Sequence, residues 1–565
     1  MKQGDRLILD IIDYGSNGEG IAKQDGFVVF VPFSVVGEKV KCRITYVKKN
    51  FATAVLEEVI VASTERIKPP CNRFSRCGGC DMLHLAYNEQ LKLKKKSVQN
   101  TFAKNTSGYY VIDDIVPSPE ILGYRNKVSL PFGIVENRVA LGFYRENTHK
   151  IVSITKCFLQ GEWIEPIIEI MLSYANENKL IVYDETTAKG LLRHLVVRKL
   201  KDYFVITVVA TAELPKVNSL IEKLDELFLG KYALYLNKNK TKSNVILSGE
   251  VFLVGGKAES VVVRNVELEV NPFSFFQVND GIRDLIYDRV ESLVCPDSGK
   301  VVIDAYAGVG VMGGDLAKKG VRVYNIEIVP EAVEDAVKLC RANRLEDYVT
   351  SICGDSAVIL PELVDELNSD LNKCAVHSMK LLSPYFTAIK QGKKTFELRL
   401  NEPKRQKIKI GDTICFNDVS TGEQLLTKVK SKKAYRNFEQ LFADLGTVQT
   451  VFADSIDVKS ASDGMQEIYS KEKIDLYGAL AIEIQPIEKE IVIIVDPPRK
   501  GCDKAVLEAI KKSSARNVLY ISCNPATLSR DLEILSTDFD CEFITPYDMF
   551  PQTRHLEVLC KLSRK

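Results

Sequence analysis

Hydrophobic and polar residues alternate in short runs over residues 1–61, with stretches at 6–13, 26–32, 38–48 and 51–61 rich in Val, Ile, Phe and Tyr. Gly15–Gly18 and Asp25-Gly26 supply turn signals between them, so the pattern predicts short strands closing into a small five-stranded barrel of the OB type. Residues 85–104 carry a helical pattern with a basic run at Lys92, Lys94, Lys95 and Lys96. From about 121 to 270 short strands dominate again, which predicts a second β-rich domain.

At Val301 the period changes. Apolar strands at 301–304, 321–326, 491–496 and 518–522 alternate with helical segments, and 331–344 places Val333, Ala336, Val337 and Cys340 at helical spacing. Strand–helix alternation implies a parallel sheet wrapped by helices. The alternation stops after Gly354-Asp355 and resumes only at Ile491, so the stretch from about Cys374 to Ile487 is read as an inserted domain.

Length, composition and charge narrow this frame only a little. A chain of 565 residues with 45% hydrophobic and 27% charged residues fits three or four soluble domains. No apolar run is long enough for a membrane span, and the start MKQGDRLILD lacks a basic-then-apolar leader pattern, which points to the cytoplasm. A net charge of +1 excludes a global electrostatic argument for nucleic acid, so any such partner would be held by local basic surfaces. The 14 Cys, clustered in a reducing compartment, suggest metal or catalysis more than disulfides.

Candidate chemistry sits at the ends of the strands. The run Val301 to Gly310 is an apolar strand followed by a glycine turn that lets a ligand approach the backbone. Glu327, seventeen residues after Gly310, stands where an acid accepts hydrogen bonds from ribose hydroxyls. These signals alone fit any nucleotide-binding Rossmann variant, and residues 308–313 loosely match G-x-G-x-x-G. Asp496-Pro497-Pro498-Arg499 follows one strand, and Ser522-Cys523-Asn524-Pro525 follows another. Cys523 by itself is either a nucleophile or a buried structural thiol, and Glu557 by itself is a candidate base or a surface acid. Cys71-x5-Cys77-x2-Cys80 lies between prolines and glycines, with Cys157 as the best fourth ligand. That spacing fits an iron–sulfur cluster or a zinc ion.

Together, the motifs Phe273 to Asn279, Asp304 to Gly310, Glu327, Asp496 to Arg499, Ser522 to Pro525 and His555-Leu556-Glu557 resemble the RNA 5-methyluridine methyltransferase family, in particular its bacterial ribosomal-RNA branch. The order and spacing fit over roughly 450 residues, except at the insert. The resemblance implies S-adenosylmethionine bound by Gln277, Tyr306, Glu327, Asp355 and Asp496. It implies Cys523 as the nucleophile that adds to uracil C6, and Glu557 as the base that removes the C5 proton. It also implies a [4Fe-4S] cluster on Cys71, Cys77, Cys80 and Cys157. Ala307 stands where many relatives carry Cys, at a position that is not catalytic.

The implied architecture is multidomain α/β: an OB-like TRAM barrel at 1–62, a β-rich central domain with the cluster at 63–270, and a Rossmann-like class I methyltransferase domain at 271–375 and 489–565. An insert at 376–488 has a motif order similar to ASCH domains, which are PUA-like β-barrels. Some ASCH relatives hydrolyse modified nucleosides with a Lys and a Thr, here Lys394 and Thr395. Residues 377–436 hold 14 Lys/Arg against 5 Asp/Glu and residues 437–488 hold 3 against 10, so the basic half could follow an RNA backbone. Tyr124-Arg125-Asn126-Lys127 pairs an aromatic with cations suited to phosphates or a base. Barrel and cluster together imply large-subunit (23S) ribosomal RNA as the partner of a monomeric enzyme. Transfer RNA is the alternative, and a non-catalytic RNA-binding protein or a Rossmann oxidoreductase are the rivals.

Overall fold

The computed structural model describes residues 1–565 apart from 16–17, 146–147, 295–299, 374–376, 452–455 and 487–490, and apart from the side chains of 368–373 and 451. The predicted turn at Ser16-Asn17 and both predicted junctions of the insert fall on residues outside this description.

The N-terminal sheet has six strands rather than five, in the order Arg6–Asp10, Lys39–Val47, Phe51–Val61, Phe27–Val31, Gly20–Gln24, Asp13–Tyr14. The additional strand Gly20–Gln24 is weakly apolar. It pairs with Phe27–Val31 because Asp25 (φ 49°) and Gly26 (φ 80°) form a two-residue hairpin turn whose twist matches the strands. The 121–270 region builds a seven-stranded sheet around Leu192–Leu200 and Tyr203–Ala210, covered by the helices Ile164–Glu177 and Val217–Phe228.

The site-bearing sheet also has seven strands. Its order is Val349–Cys353, Arg322–Glu327, Val301–Asp304, Ile491–Val495, Asn517–Ser522, Glu557–Arg564, Phe539–Tyr547. Six run in one direction, and only Glu557–Arg564, between Asn517–Ser522 and Phe539–Tyr547, is antiparallel to its neighbours. Ile491–Val495 is buried throughout and reads as a continuous apolar run, as a strand covered on both faces should. The helix Ser356–Lys373 packs its Leu360, Leu363, Val364 and Leu367 into the same core as Ile493 and Val495. The chain therefore completes a strand–helix unit before it leaves the sheet, and it re-enters at the strand that pairs with Val301–Asp304.

Between these points lies a separate five-stranded sheet, ordered His377–Leu381, Thr413–Asp418, Gln424–Tyr435, Ala479–Pro486, Phe396–Leu400. Its apolar side chains form two cores drawn from residues 379–484. The acidic half, apart from its last strand, is mostly helical: Phe438–Leu445, Val458–Ile468 and Lys471–Tyr477. Among the described residues no helix is long and apolar enough to cross a membrane.

Candidate active site

The parallel strands all end on one edge, and the turns after them line a single cavity of ≈ 630 Å³. It gathers Gln277, Tyr306, Glu327, Asp355, Asp496, Cys523 and Glu557, residues as far apart as 280 positions in sequence. Gly310 (φ 77°) ends the first turn in the left-handed region, and a Cβ there would meet the Asn325 amide at 2.8 Å. Glu327 is held by backbone: the N–H of Gly308 donates to Oε2 at 2.9 Å and that of Val329 to Oε1 at 2.9 Å. Each oxygen keeps a lone pair for a further donor. The Asp355 carboxylate accepts from the Ala357 N–H at 2.9 Å and lines the far wall.

Cys523 and Glu557 meet through sheet register. Ser522 pairs with Val558 in the last rung of the antiparallel ladder, so the next residues outward, Cys523 in the turn and Glu557 at the strand start, reach the cavity together, close enough for the Glu557 charge to act on the thiol. Cys523 also lies one residue before the N-cap of the helix Pro525–Leu535, where Asn524 accepts from the Ala526 N–H. The positive end of that helix favours a thiolate. Asn524 Nδ2 donates to the Arg499 carbonyl at 2.9 Å and so fixes the Asp496–Arg499 turn beside the thiol. Burial pushes the Cys523 thiol up, the charges of Glu557 and Asp496 add to the rise, and Arg499 opposes it.

The acids are unusual. Glu557 is buried, its Oε2 has no hydrogen-bond partner, and burial with the nearby Asp496 holds its carboxyl well above the usual range while Arg499 pulls it back. Asp304 and Asp496 stand at adjacent strand ends, and close enclosure by protein pushes each up to about 7. A sealed, unpaired carboxylate oxygen beside a thiol suits a group waiting for a substrate proton.

Four features of the cavity escaped the motif reading. Asp304 was read only as part of the strand motif. Phe275 likewise was read only as part of the Phe273 to Asn279 motif, and Arg283 and Phe550 reach the cavity from a helix and a loop that no motif includes. Phe275 is 63% exposed, a large aromatic face at the mouth. Phe550 belongs to a segment braced from outside the sheet. Buried Lys94 pairs with Asp548 and donates to the Phe550 carbonyl at 3.0 Å, and Tyr87 donates to Asp548 at 2.8 Å. Gln90 and Gln552 exchange hydrogen bonds, and the N–H groups of Asp81 and Met82 both donate to the Gln552 carbonyl at 3.0 Å. Breaking such a buried ion pair costs roughly 3–5 kcal/mol. The basic run of the helix Tyr87–Asn105 thus includes one buried lysine that ties that helix to the segment leading to Glu557.

Cys71, Cys77, Cys80 and Cys157 line one small cavity of ≈ 50 Å³ walled by Phe74, Phe143 and Phe158. All four thiols are free, and the charges of Cys71 and Cys157 reach both Cys77 and Cys80. Burial pushes Cys77 up to about 11 and pushes Cys157 up as well, a rise that the N–H groups of Leu159 and Gln160, donating to the Cys157 sulfur, oppose. Among the described residues, no group of three or more His, Cys, Asp and Glu is placed to hold a metal ion.

In the insert, buried Lys394 spends its donors on the carbonyls of Phe396 and Thr450, each at 2.5 Å, with Glu397 at 3.6 Å. Thr395 uses its backbone to join Gln449 and Ile484.

Family models match four stretches of the chain: the TRAM domain over residues 2–56, the TRM5/TYW2 methyltransferase domain over 270–392, the ASCH domain over 379–488, and tRNA (Uracil-5-)-methyltransferase over 461–565. An uncharacterized RNA methyltransferase of Clostridium tetani is 28% identical over 100% of this chain and 97% of the relative. One of Staphylococcus epidermidis is 27% identical over 98% and 96%. Among solved structures, Pyrococcus abyssi tRNA (uracil-54, C5)-methyltransferase in complex with S-adenosyl-L-homocysteine shares the fold. Its TM-score is 0.62 at 22% identity, over 98% of this chain and 99% of that one.

Proposed function

We infer that the chain is an enzyme of the RNA (uracil-5-)-methyltransferase family, with TRAM and ASCH domains, that methylates uracil C5 in 23S ribosomal RNA with S-adenosylmethionine as donor. The observation that carries the reading is the meeting of Cys523 and Glu557 just past the last rung of one ladder, at the edge of the cavity.

The cavity fits the donor. Its volume lies within the usual range of cofactor sites, about 300–1,000 Å³. Glu327 has lone pairs for ribose hydroxyls, Asp355 for an adenine amine, and Gln277, Tyr306 and Asp496 complete the lining. When bound, the donor supplies a methyl group on a positive sulfonium. Uracil C5 is too weak a nucleophile to take it directly. The Cys523 sulfur forms a bond to C6, the electron pair of the C5–C6 double bond moves to C5 as an enolate, and C5 then bonds the methyl carbon. Glu557 accepts the C5 proton, the double bond re-forms, and the C6–S bond breaks to return the thiolate. A base held above the ordinary carboxylate range is the stronger for that step. The uracil has to be unstacked to reach Cys523, and the exposed Phe275 ring offers it a face.

Incubating rRNA and tRNA separately with labelled S-adenosylmethionine, then locating the product by mass spectrometry, tests this reading. 5-Methyluridine in 23S rRNA is expected. Transfer RNA is the second reading, because the structural neighbour that shares the fold over nearly the whole chain is an enzyme of tRNA uracil-54.

The carboxyl pair sets a pH dependence. Asp304 and Asp496, held near 7, are ionised above that pH and neutral below it. Ionised carboxylates attract the sulfonium, so donor affinity should rise with pH and fall by up to about tenfold between pH 8 and pH 6. Calorimetry at both pH values checks this, and S-adenosylhomocysteine, which lacks the sulfonium charge, should show a smaller change. Equal slopes for both ligands would separate the pair from the methyl site.

The reading includes a [4Fe-4S] cluster on Cys71, Cys77, Cys80 and Cys157. Support comes from the shared cavity and from the amide donors aimed at Cys157. Four thiolates are the donor set that such a cluster would take, and these four cysteines would supply it. The group would hold the central domain together; methyl transfer by this route moves no electrons. Anaerobically purified protein should be brown with about four irons per chain, and Cys157→Ser should make the iron labile. Colourless protein with one zinc would reject the cluster.

The insert is assigned to RNA docking. Lys428 and Lys430 are exposed on Gln424–Tyr435, and Lys432 donates to the Gln406 and Ile408 carbonyls, which holds the segment with the exposed Lys404, Lys407 and Lys409 against that strand. Because its cores are its own, replacing 376–487 by a short Gly/Ser linker should leave a folded protein that binds S-adenosylmethionine. RNA affinity should fall and its salt slope should shrink by several units. Unchanged affinity and slope would leave the insert as a spacer.

A further inference from the structure

A second cavity, of ≈ 340 Å³, lies behind the wall of the cofactor pocket and is lined by Tyr124, Arg125, Asn126, Trp163, Lys199, Lys201 and residues 279–281. The two spaces share that wall. Asn126 Nδ2 donates to the Gln277 carbonyl at 3.0 Å and to Asp280 Oδ1 at 2.9 Å, and Arg283, which faces the cofactor cavity, pairs with Asp280 at 2.5 Å. Local geometry builds the second cavity deliberately. Gly123 and Gly161 sit back to back at φ 70° and 78°, and a Cβ on Gly161 would come within 3.4 Å of Gly123 Cα. Lys199 is the last residue but one of the strand Leu192–Leu200, and Lys201, at φ 57°, opens the hairpin turn after it; both line the cavity.

Its cations are little engaged. Arg125, Lys199 and Lys201 make no ion pair or side-chain hydrogen bond among the described contacts, although Arg125 also borders the cysteine cavity, where its charge acts on Cys157. Of the two carboxylates on the lining, Asp280 is engaged by Arg283 and Asn126, which leaves only the exposed Glu120 to oppose them. Asn126 is 5% exposed and its Oδ1 has no donor. Beside these groups stands the indole of Trp163, the only tryptophan in the chain. Three unpaired cations, an aromatic face and an amide acceptor without a donor match one unpaired nucleotide: base on indole, phosphate on the cations, a hydroxyl or amino group on the amide.

We propose that this cavity is a second nucleotide subsite, holding an RNA nucleotide other than the one methylated. The proposal rests on the reading that RNA is the substrate. Two cavities sharing the 277–283 wall would hold two points of one strand, and that would keep the target uracil from re-stacking.

The single tryptophan makes the test direct. The full chain is titrated with a fluorescently labelled single-stranded RNA octamer at low salt, while label anisotropy and tryptophan emission are followed together. Emission should be quenched in step with binding. Trp163→Ala should weaken binding ~10-fold, Trp163→Phe much less. Lys199→Ala with Lys201→Ala should weaken it similarly and lower the salt slope by about 2. S-adenosylmethionine affinity should not change in any of the three. Binding without quenching and without loss in the variants overturns the subsite, as does failure of the octamer to bind at low salt. RNA methylated normally while the tryptophan stays silent overturns this inference alone. Quenching by RNA that is never methylated overturns the function and leaves the subsite.

Discussion

Cys523→Ala is expected to abolish methyl transfer, by at least ~10⁴-fold in rate, while the protein stays folded and binds S-adenosylmethionine as before. The thiol lies outside the sheet proper, in the turn between Asn517–Ser522 and the helix Pro525–Leu535, so its removal leaves the buried ladder intact. The loss is large because Cys523 is the only thiol among the described residues that line the cavity. RNA containing 5-fluorouracil should become covalently attached to the wild-type chain. Once C5 carries both methyl and fluorine there is no proton for Glu557 to take, and the C6–S bond cannot be broken by elimination. Peptide mapping should find the adduct on Cys523; an adduct on any other cysteine rejects the assignment.

Glu557→Gln should fail one step later. Addition and methyl transfer need the thiol and the donor, whereas breakdown of the adduct needs a base at C5. Turnover should fall by about 10²–10⁴-fold, with methylated RNA accumulating on the protein in denaturing gels. Glutamine keeps the volume of the side chain and removes the ionisable group from a carboxyl cluster, so stability should be unchanged or higher. Normal turnover in this variant would place the base elsewhere, with Asp496 the nearest candidate on the same wall.

What could be read from the chain was local. The strand–turn at Val301 to Gly310 stands out because an apolar run followed by glycines has few other uses. The alternation around the insert stands out because strand and helix periods differ, and the ASCH and TRAM matches fall on segments whose patterns changed there. Turn chemistry was harder: Gly20–Gln24 is too polar to read as a strand, yet it becomes one through the hairpin at Asp25-Gly26. The run at Lys92 to Lys96 read as uniform, and only the fold separates Lys94, buried against Asp548, from its solvated neighbours.

The sequence by itself determined the order of elements, the residues at each strand end and the chemical kinds available there, since these depend on neighbours within a turn or two. Tertiary structure decided which of them meet. It set Cys523 opposite Glu557 through antiparallel register, brought Asp304 against Asp496 through parallel pairing, and carried Phe550 to the cavity on a segment held by Lys94, Gln90 and Tyr87 from about 450 positions away. The elevated carboxyls and the unpaired cations around Trp163 belong to that second level. A carboxyl is shifted by burial and by charges in space, and a lysine is free or paired according to what packs beside it; neither is written in the spacing of residues along the chain.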